Sequence, residues 1–231
     1  MIEVRPGTEA VAEALKAAVP TLDPAEQRLA LRLYRMLLAG RPVTTIDLAT
    51  SIGTDVGLVE AVLGRWPGVF RDRKGRIVGF WGLAIRGMPH RLITDQGAIT
   101  TWCALDPLII APLVTEAARV ESADPLSGEP IRLTVTPTGV RDLAPGDAVV
   151  SMLAPDGPFG HDIVASFCHY VHFFASEETA QRWVADHPGT FVLTVADAFE
   201  VATRSWPALF RDALADSPDA PAREATGEPT E

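Results

Sequence analysis

Gly68-Val69-Phe70-Arg71-Asp72-Arg73-Lys74-Gly75-Arg76-Ile77-Val78-Gly79-Phe80-Trp81 is where helical spacing ends and strands begin. Two short apolar runs flank the turn Asp72-Arg73-Lys74-Gly75-Arg76, which reads as a hairpin with a basic tip. Upstream the pattern is helical. Residues 1–20 read as a short amphipathic helix. The next helix has Asp23 as N-cap, Pro24 at its first position and Gly40 closing it. Along it, Leu29, Leu33, Met36 and Leu37 recur on one face. A second helix of this group runs from Thr44 or Thr45 to about Ile52, and a third from Thr54 to about Arg65. Three helices and a basic-tipped hairpin spell a winged helix-turn-helix, which usually lays its third helix in a DNA major groove. Here the stretch Asp55-Val56-Gly57-Leu58-Val59-Glu60-Ala61-Val62-Leu63 has no Arg, Lys, Asn or Gln to reach base edges. The module is therefore expected to be a packing or lid domain, with DNA binding as the alternative.

Beyond Met88-Pro89-His90 the pattern changes to short strands at 91–93, 98–100, 131–135 and 148–152, a long strand over 163–174, and another at 190–195. Helices are expected at about 107–117, 177–187 and 197–213. The fold class that follows is α+β: a three-helix, winged-helix-like domain, then a mainly antiparallel sheet domain with flanking helices. The boundaries are 1–88 for the first domain and 89–215 for the second. Residues 216–231, rich in Pro, Ala, Glu, Thr and Ser, form a tail expected to be disordered.

Composition narrows the function. Of 231 residues, 47% are hydrophobic and 22% charged, enough apolar material for a packed core. The net charge of -10 argues against a chain that coats nucleic acid. The charge is uneven: the first 90 residues are mildly basic and the remainder strongly acidic. No apolar run reaches the roughly 18–20 residues that span a bilayer. The start, Met1-Ile2-Glu3-Val4-Arg5-Pro6, lacks the pattern of a signal peptide. A cytoplasmic protein with reduced cysteines is the expectation.

The chain has two cysteines. Cys103 lies in Thr101-Trp102-Cys103-Ala104-Leu105-Asp106-Pro107, three residues before a carboxylate. Cys168 lies in Ser166-Phe167-Cys168-His169-Tyr170-Val171-His172-Phe173-Phe174. Pro107 belongs in the first turn of a helix, so either Asp106 is the N-cap or the helix starts near Cys103. Both place Cys103 and Asp106 within one turn. The helix dipole would favour thiolate at Cys103, and burial beside Trp102 would raise the Asp106 pKa. On a strand, Cys168 and His172 would stand roughly 13 Å apart, too far for one zinc ion. Taken alone, two free cysteines are most often small buried hydrophobes.

Trp102-Cys103-Ala104-Leu105-Asp106, with Ser166-Phe167-Cys168 and Val171-His172-Phe173-Phe174-Ala175-Ser176, resembles organomercurial (alkylmercury) lyase over roughly residues 90–210. The resemblance implies a catalytic set of Cys103, Cys168 and Asp106 that holds mercury as substrate and product. It implies protonolysis of a carbon–mercury bond, with Asp106 carrying the proton and no cofactor. It implies an organomercurial substrate, small cytosolic thiols and a mercuric reductase as partners, with no membrane and no nucleic acid. Some members carry two further cysteines, and Asp124 and His169 stand at those places here. The alternatives are a mercury-responsive DNA-binding regulator and a relative that only sequesters mercury.

Overall fold

The computed structural model of the chain describes residues 6–215. Residues 1–5, the front of the helix expected over 1–20, and the tail expected over 216–231 lie outside the described residues.

Four helices come first: α1 (Thr8–Ala18), α2 (Pro24–Leu37), α3 (Thr45–Ile52) and α4 (Val56–Arg65). The start of α2 is fixed by a reciprocal cap. The Asp23 carboxylate accepts from the N–H groups of Ala25 and Glu26, and the Glu26 carboxylate accepts from Asp23 N–H. Asp55 caps α4 by accepting from Leu58 N–H. Leu29, Leu33 and Leu37 are buried, as their spacing requires.

The strands β1 (Val69–Arg71), β2 (Ile77–Phe80), β3 (Leu83–Ala84), β4 (His90–Thr94) and β5 (Gly97–Thr101) follow. Helix α5 (Leu105–Val114) leads to β6 (Ala118–Ala123), β7 (Pro130–Thr136), β8 (Gly139–Ala144) and β9 (Val149–Leu153). Strands β1 to β8 make one antiparallel sheet in the order β1-β2-β3-β5-β4-β6-β7-β8. The basic-tipped hairpin is thus the first two strands of the main sheet, and one hydrophobic core runs from α1 to α9 (Arg211–Ala215). The fold is α+β, helical at the front and antiparallel behind, as the sequence implies.

Several expectations need correction. The long strand expected over 163–174 does not form. That segment is α6 (Ile163–Ser166), a 3-10 turn at Cys168–Tyr170, and β10 (Phe173–Phe174). Its β-branched and aromatic residues suit a strand locally, but tertiary hydrogen bonds pull the backbone into a turn. Ser151 of β9 is the anchor: its Oγ donates to Tyr170 C=O and accepts from His172 N–H. Cys168 therefore sits on a turn, and the strand-based face and spacing arguments lapse. The helix expected over 197–213 is broken at Pro207 into α8 (Val195–Ser205), a 3-10 turn and α9. Strands β3, β6 and β8 went unread. Between β10 and α8 come α7 (Glu177–Asp186) and β11 (Thr190–Thr194), close to expectation. Strand β9 pairs with both β10 and β11 in a second, three-stranded sheet.

On the helix-turn-helix module, three basic residues are engaged locally, while Arg73 and Lys74 at the hairpin tip are exposed. Arg65 pairs with Glu26, Arg71 with Glu60 and Arg76 with Asp72. Helix α4 shows apolar Leu58 and Val56 to solvent where a DNA reader shows polar side chains.

Asp124 is a structural staple. Its carboxylate accepts from Leu126 and Ser127 N–H in the β6–β7 turn, and from Ala175 N–H and Thr179 Oγ across the molecule. Burial pushes this carboxyl up, but the Thr179 hydroxyl and the backbone N–H groups outweigh it and hold it below its usual value. Asp124→Ala is expected to lose about 2–4 kcal/mol in urea unfolding near neutral pH. The difference should shrink as pH falls through the carboxylate range, because protonating Asp124 removes the same acceptor from the native chain.

Candidate active site

The two cysteine segments are joined by backbone. Strand β5 ends at Thr101, and Trp102-Cys103-Ala104 turns the chain into α5. Ala104 N–H donates to Val171 C=O at 3.0 Å, and Val171 N–H donates back to Cys168 C=O at 3.2 Å. This bridge lays the Cys168–Tyr170 turn beside Cys103. One ligand atom each from Cys103, Asp106 and Cys168 lies within 4.8 Å of the others, the one such group among the described residues. The three residues proposed from sequence are brought together.

Helix α5 starts at Leu105 with Ala104 as its cap residue, so Asp106 is inside its first turn and is not the N-cap. Its Oδ2 accepts from Cys103 N–H at 2.7 Å, folding the side chain back toward the thiol. Almost every residue of α5 is buried, between α8 and the β7 strand, which fixes the helix that holds Asp106.

Burial governs the protonation states. Both cysteines are buried and free of disulfide. Burial, and then the Cys168 partner and the Asp106 charge, push the Cys103 thiol well above its usual value. This corrects the expectation of a dipole-stabilised thiolate: desolvation and a neighbouring negative charge outweigh the helix end. For Cys168, the hydrogen bond with Cys103 pulls down, while burial and Asp106 push up, and the net direction is up. Burial raises Asp106 to about 7, against hydrogen bonds from Cys103 that lower it. The carboxyl is thus the most acidic member of the set. Asp106 keeps some accessible surface, but it borders an internal cavity, so it gains little solvation from bulk water.

That cavity measures about 30 Å³ and is lined by Val19, Pro20, Pro67, Trp81, Gly82, Trp102, Asp106, Phe159, Ile163, Cys168 and Trp206. Its wall is apolar and aromatic, with one acid and one thiol showing. Larger hollows exist, the biggest of about 620 Å³ behind the Cys168 turn, but they lack the convergent thiols. The residues of the wall come from both halves of the chain: Val19 and Pro20 from the α1–α2 link, Phe159 and Ile163 from the segment before the cysteine turn. Phe159 N–H donates to Ala18 C=O at 2.8 Å and ties those two sides together.

Two supports of the site were not legible in the sequence. Trp81 has φ of 30°, an uncommon backbone for a bulky residue. It is held by the buried Tyr34 hydroxyl donating to its C=O at 2.8 Å and by its own indole N–H donating to Pro67 C=O at 2.6 Å. Gly82, at φ 96°, then passes so close that a Cβ there would lie 2.5 Å from Asp106 Oδ1. The Gly82 C=O accepts from Trp102 N–H. The Trp-Gly pair closing a strand was the available signal, but nothing in the sequence joins it to Tyr34 or to Asp106. Of the two positions matched to accessory cysteines, Asp124 is the staple already described, and His169 is exposed.

The chain is similar to known proteins along most of its length. Residues 83–206 match the family described as "MerB: Alkylmercury lyase", and residues 8–81 match "Helix-turn-helix domain of alkylmercury lyase". The chain is 42% identical over 169 residues to an alkylmercury lyase of Bacillus cereus, covering 73% of this chain and 76% of that one. It is 42% identical over 171 residues to one of Pseudomonas putida, covering 74% and 79%. A structure titled "Crystal structure of the mercury-bound form of MerB2" superposes with a TM-score of 0.67 at 24% identity, covering 89% of this chain and 100% of that chain. This last likeness concerns the fold.

Three substitutions test the packing of the site by urea unfolding. Gly82→Ala should destabilise by several kcal/mol, roughly 2–5, since Cβ meets a carboxylate on a backbone that disfavours side chains. Tyr34→Phe should lose about 1–3 kcal/mol by leaving the Trp81 carbonyl unpaired. Asp106→Asn should gain stability relative to the native chain as pH rises from the usual carboxyl value of 3.8 to about 7. In that window the folded chain holds a proton that the unfolded chain has released, so native stability falls with pH and the amide's does not.

Proposed function

Since the chain belongs to the alkylmercury lyase family and is an enzyme of that kind, we propose that Cys103, Cys168 and Asp106 carry its reaction. The observation that supports this most is the convergence of two buried thiols and one acid of pKa about 7 on an apolar cavity. An organomercurial substrate arrives as an alkyl- or arylmercury bound to a small thiol. One site thiol replaces that ligand, and the displaced thiolate leaves with the proton. Mercury is soft and prefers sulfur, and a thiol that coordinates a metal loses its proton outright. The buried thiols are therefore protonated at rest and give up protons only as mercury binds.

The second thiol then approaches the same mercury. Its proton passes to the Asp106 carboxylate, the one member of the set that is ionised in appreciable fraction near neutral pH. With two thiolates on mercury, electron density moves onto the carbon and the carbon–mercury bond weakens. The bonding pair leaves with the carbon, which takes the proton from the Asp106 carboxyl. Hydrocarbon departs, and mercury(II) remains on two thiolates with no net charge change. Trp81, Trp102, Phe159 and Trp206 exclude water from this exchange.

The chemistry also points to the partners. Small cytosolic thiols present the substrate and draw off the product, and a mercuric reductase is the acceptor that disposes of it. A cytoplasmic location is the one that suits those partners. No helix among the described residues is long and apolar enough to cross a membrane. Residues 1–88 act as a wall of the site and 89–215 as its catalytic part, with nucleic acid not a partner.

Phenylmercury with excess small thiol tests the reading directly. The native chain should release benzene. Cys103→Ser, Cys168→Ser and Asp106→Ala should each lower the rate by at least about 100-fold. Asp106→Ala should retain mercury(II) binding, because both thiols remain. Since the carboxylate form must accept the proton, kcat/KM should rise with pH through about 7. Benzene release at the native rate from Asp106→Ala would remove the acid from the mechanism, and no release from the native chain would leave a protein that only sequesters mercury.

A further inference from the structure

The cavity at the thiols has no room for a ring. It measures about 30 Å³, and a single water already needs about 10–15 Å³ of such space. The hollow behind the Cys168 turn measures about 620 Å³, within the roughly 300–1,000 Å³ of ordinary ligand sites.

The two spaces share a wall. Residues 163–168 give Ile163 and Cys168 to the cavity, and Ser166 and Phe167 to the hollow. Among the described residues Phe159 alone borders both. Its ring centroid lies 5.1 Å from that of Phe167.

The segment that carries Phe159 is lightly held. Residues 154–161 form neither helix nor strand, and Phe159 is only half-buried. Among the described residues, one hydrogen bond ties this segment to a distant part of the chain, from Phe159 N–H to Ala18 C=O. Exposed Gly157 and Gly160 flank the ring, and a Cβ at Gly157 would meet nothing. Moving the ring therefore breaks at most that one hydrogen bond to another element.

The hollow also has a charge preference. Leu153, Pro158, Phe167 and Tyr170 make part of its wall apolar. Asp156, Asp162 and Asp186 stand there exposed, and no Lys or Arg is among the lining residues. Such a wall suits a neutral or cationic organic group and repels an anionic one.

We propose that this hollow receives the organic group of the substrate, and that Phe159 is the movable partition that decides which groups reach it. The reacting carbon stays beside Asp106 while its substituent extends past Phe159. The groups favoured are uncharged aromatic or branched alkyl groups larger than methyl. This inference rests on the lyase reading above and adds a specificity-determining residue to it.

The test compares kcat/KM of the full chain for 1-naphthylmercury, phenylmercury and 4-sulfophenylmercury with excess small thiol. Phe159→Ala should raise the naphthyl-to-phenyl ratio roughly tenfold, and Phe159→Trp should lower it by a similar factor. Ser166→Trp, which fills the hollow without bordering the cavity, should also lower it. Should Phe159→Ala turn over no substrate, Phe159→Leu carries the same comparison. The sulfophenyl-to-phenyl ratio should rise with salt in the native chain, and rise less when Asp156→Asn and Asp162→Asn are combined. A naphthyl ratio unmoved at either Phe159 or Ser166, or a sulfophenyl ratio indifferent to salt, would overturn the proposal. Those ratios can fail while the native chain still releases benzene, whereas no benzene from the native chain takes the lyase reading down as well.

Discussion

One backbone hydrogen bond, Ala104 N–H to Val171 C=O, joins two segments 67 positions apart in sequence. It is the point at which α5 and the turn after α6 become one structure. Ser151 reinforces it from the other side, holding Tyr170 and His172 through a single hydroxyl. Ala104, Val171 and Ser151 are buried, so a bond left unmade there would leave a polar group unsatisfied against an apolar interior. The cost of breaking the set is what keeps Cys168 beside Cys103 without a disulfide. A covalent link would fix the same distance but would consume the two sulfurs that the proposed reaction uses.

The same burial sets up an electrostatic conflict. An acid and two thiols share a dry space, and every anionic form among them is penalised by desolvation and by its neighbours. The resting site settles the conflict by staying protonated on sulfur. A thiophilic metal reverses the balance, since its charge stabilises the thiolates that the protein alone disfavours. The charge arrives with the substrate. The apolar wall serves both ends: it raises the thiols at rest and shields the developing carbanion from adventitious water.

Legibility in the sequence tracked the range of the forces. Cys103 and Asp106 are three residues apart, so any helical start puts them together, and their relation was readable. The capped helices and the basic-tipped hairpin were readable for the same reason. Cys168 was misplaced on a strand because Val164, Phe167, Tyr170, Val171, Phe173 and Phe174 favour strand locally, whereas the turn is imposed by Ser151 and Ala104 from elsewhere in the chain. Likewise the expected thiolate at Cys103 took the local dipole into account but not the burial and charge supplied by distant residues. Gly82, Trp81 and Tyr34 come from different elements, and their convergence on Asp106 exists only in three dimensions. The pairing of Cys103 with Cys168 itself came from resemblance, not from any spacing rule.

The helix-turn-helix module makes sense on these terms. A DNA-reading version needs polar residues along α4 and uncommitted cations on its hairpin. Here α4 is apolar outside, and Arg65, Arg71 and Arg76 are in ion pairs with carboxylates of the module itself. What the module does supply is Tyr34, which holds Trp81 in an uncommon conformation, and the hairpin whose last residues run into the Trp81-Gly82 corner against Asp106. Its hairpin is joined through β3 to strand β5, which ends at Thr101. A fold suited to presenting a helix outward has its structural consequences inward, and the inward contacts are the ones that shape the acid's surroundings.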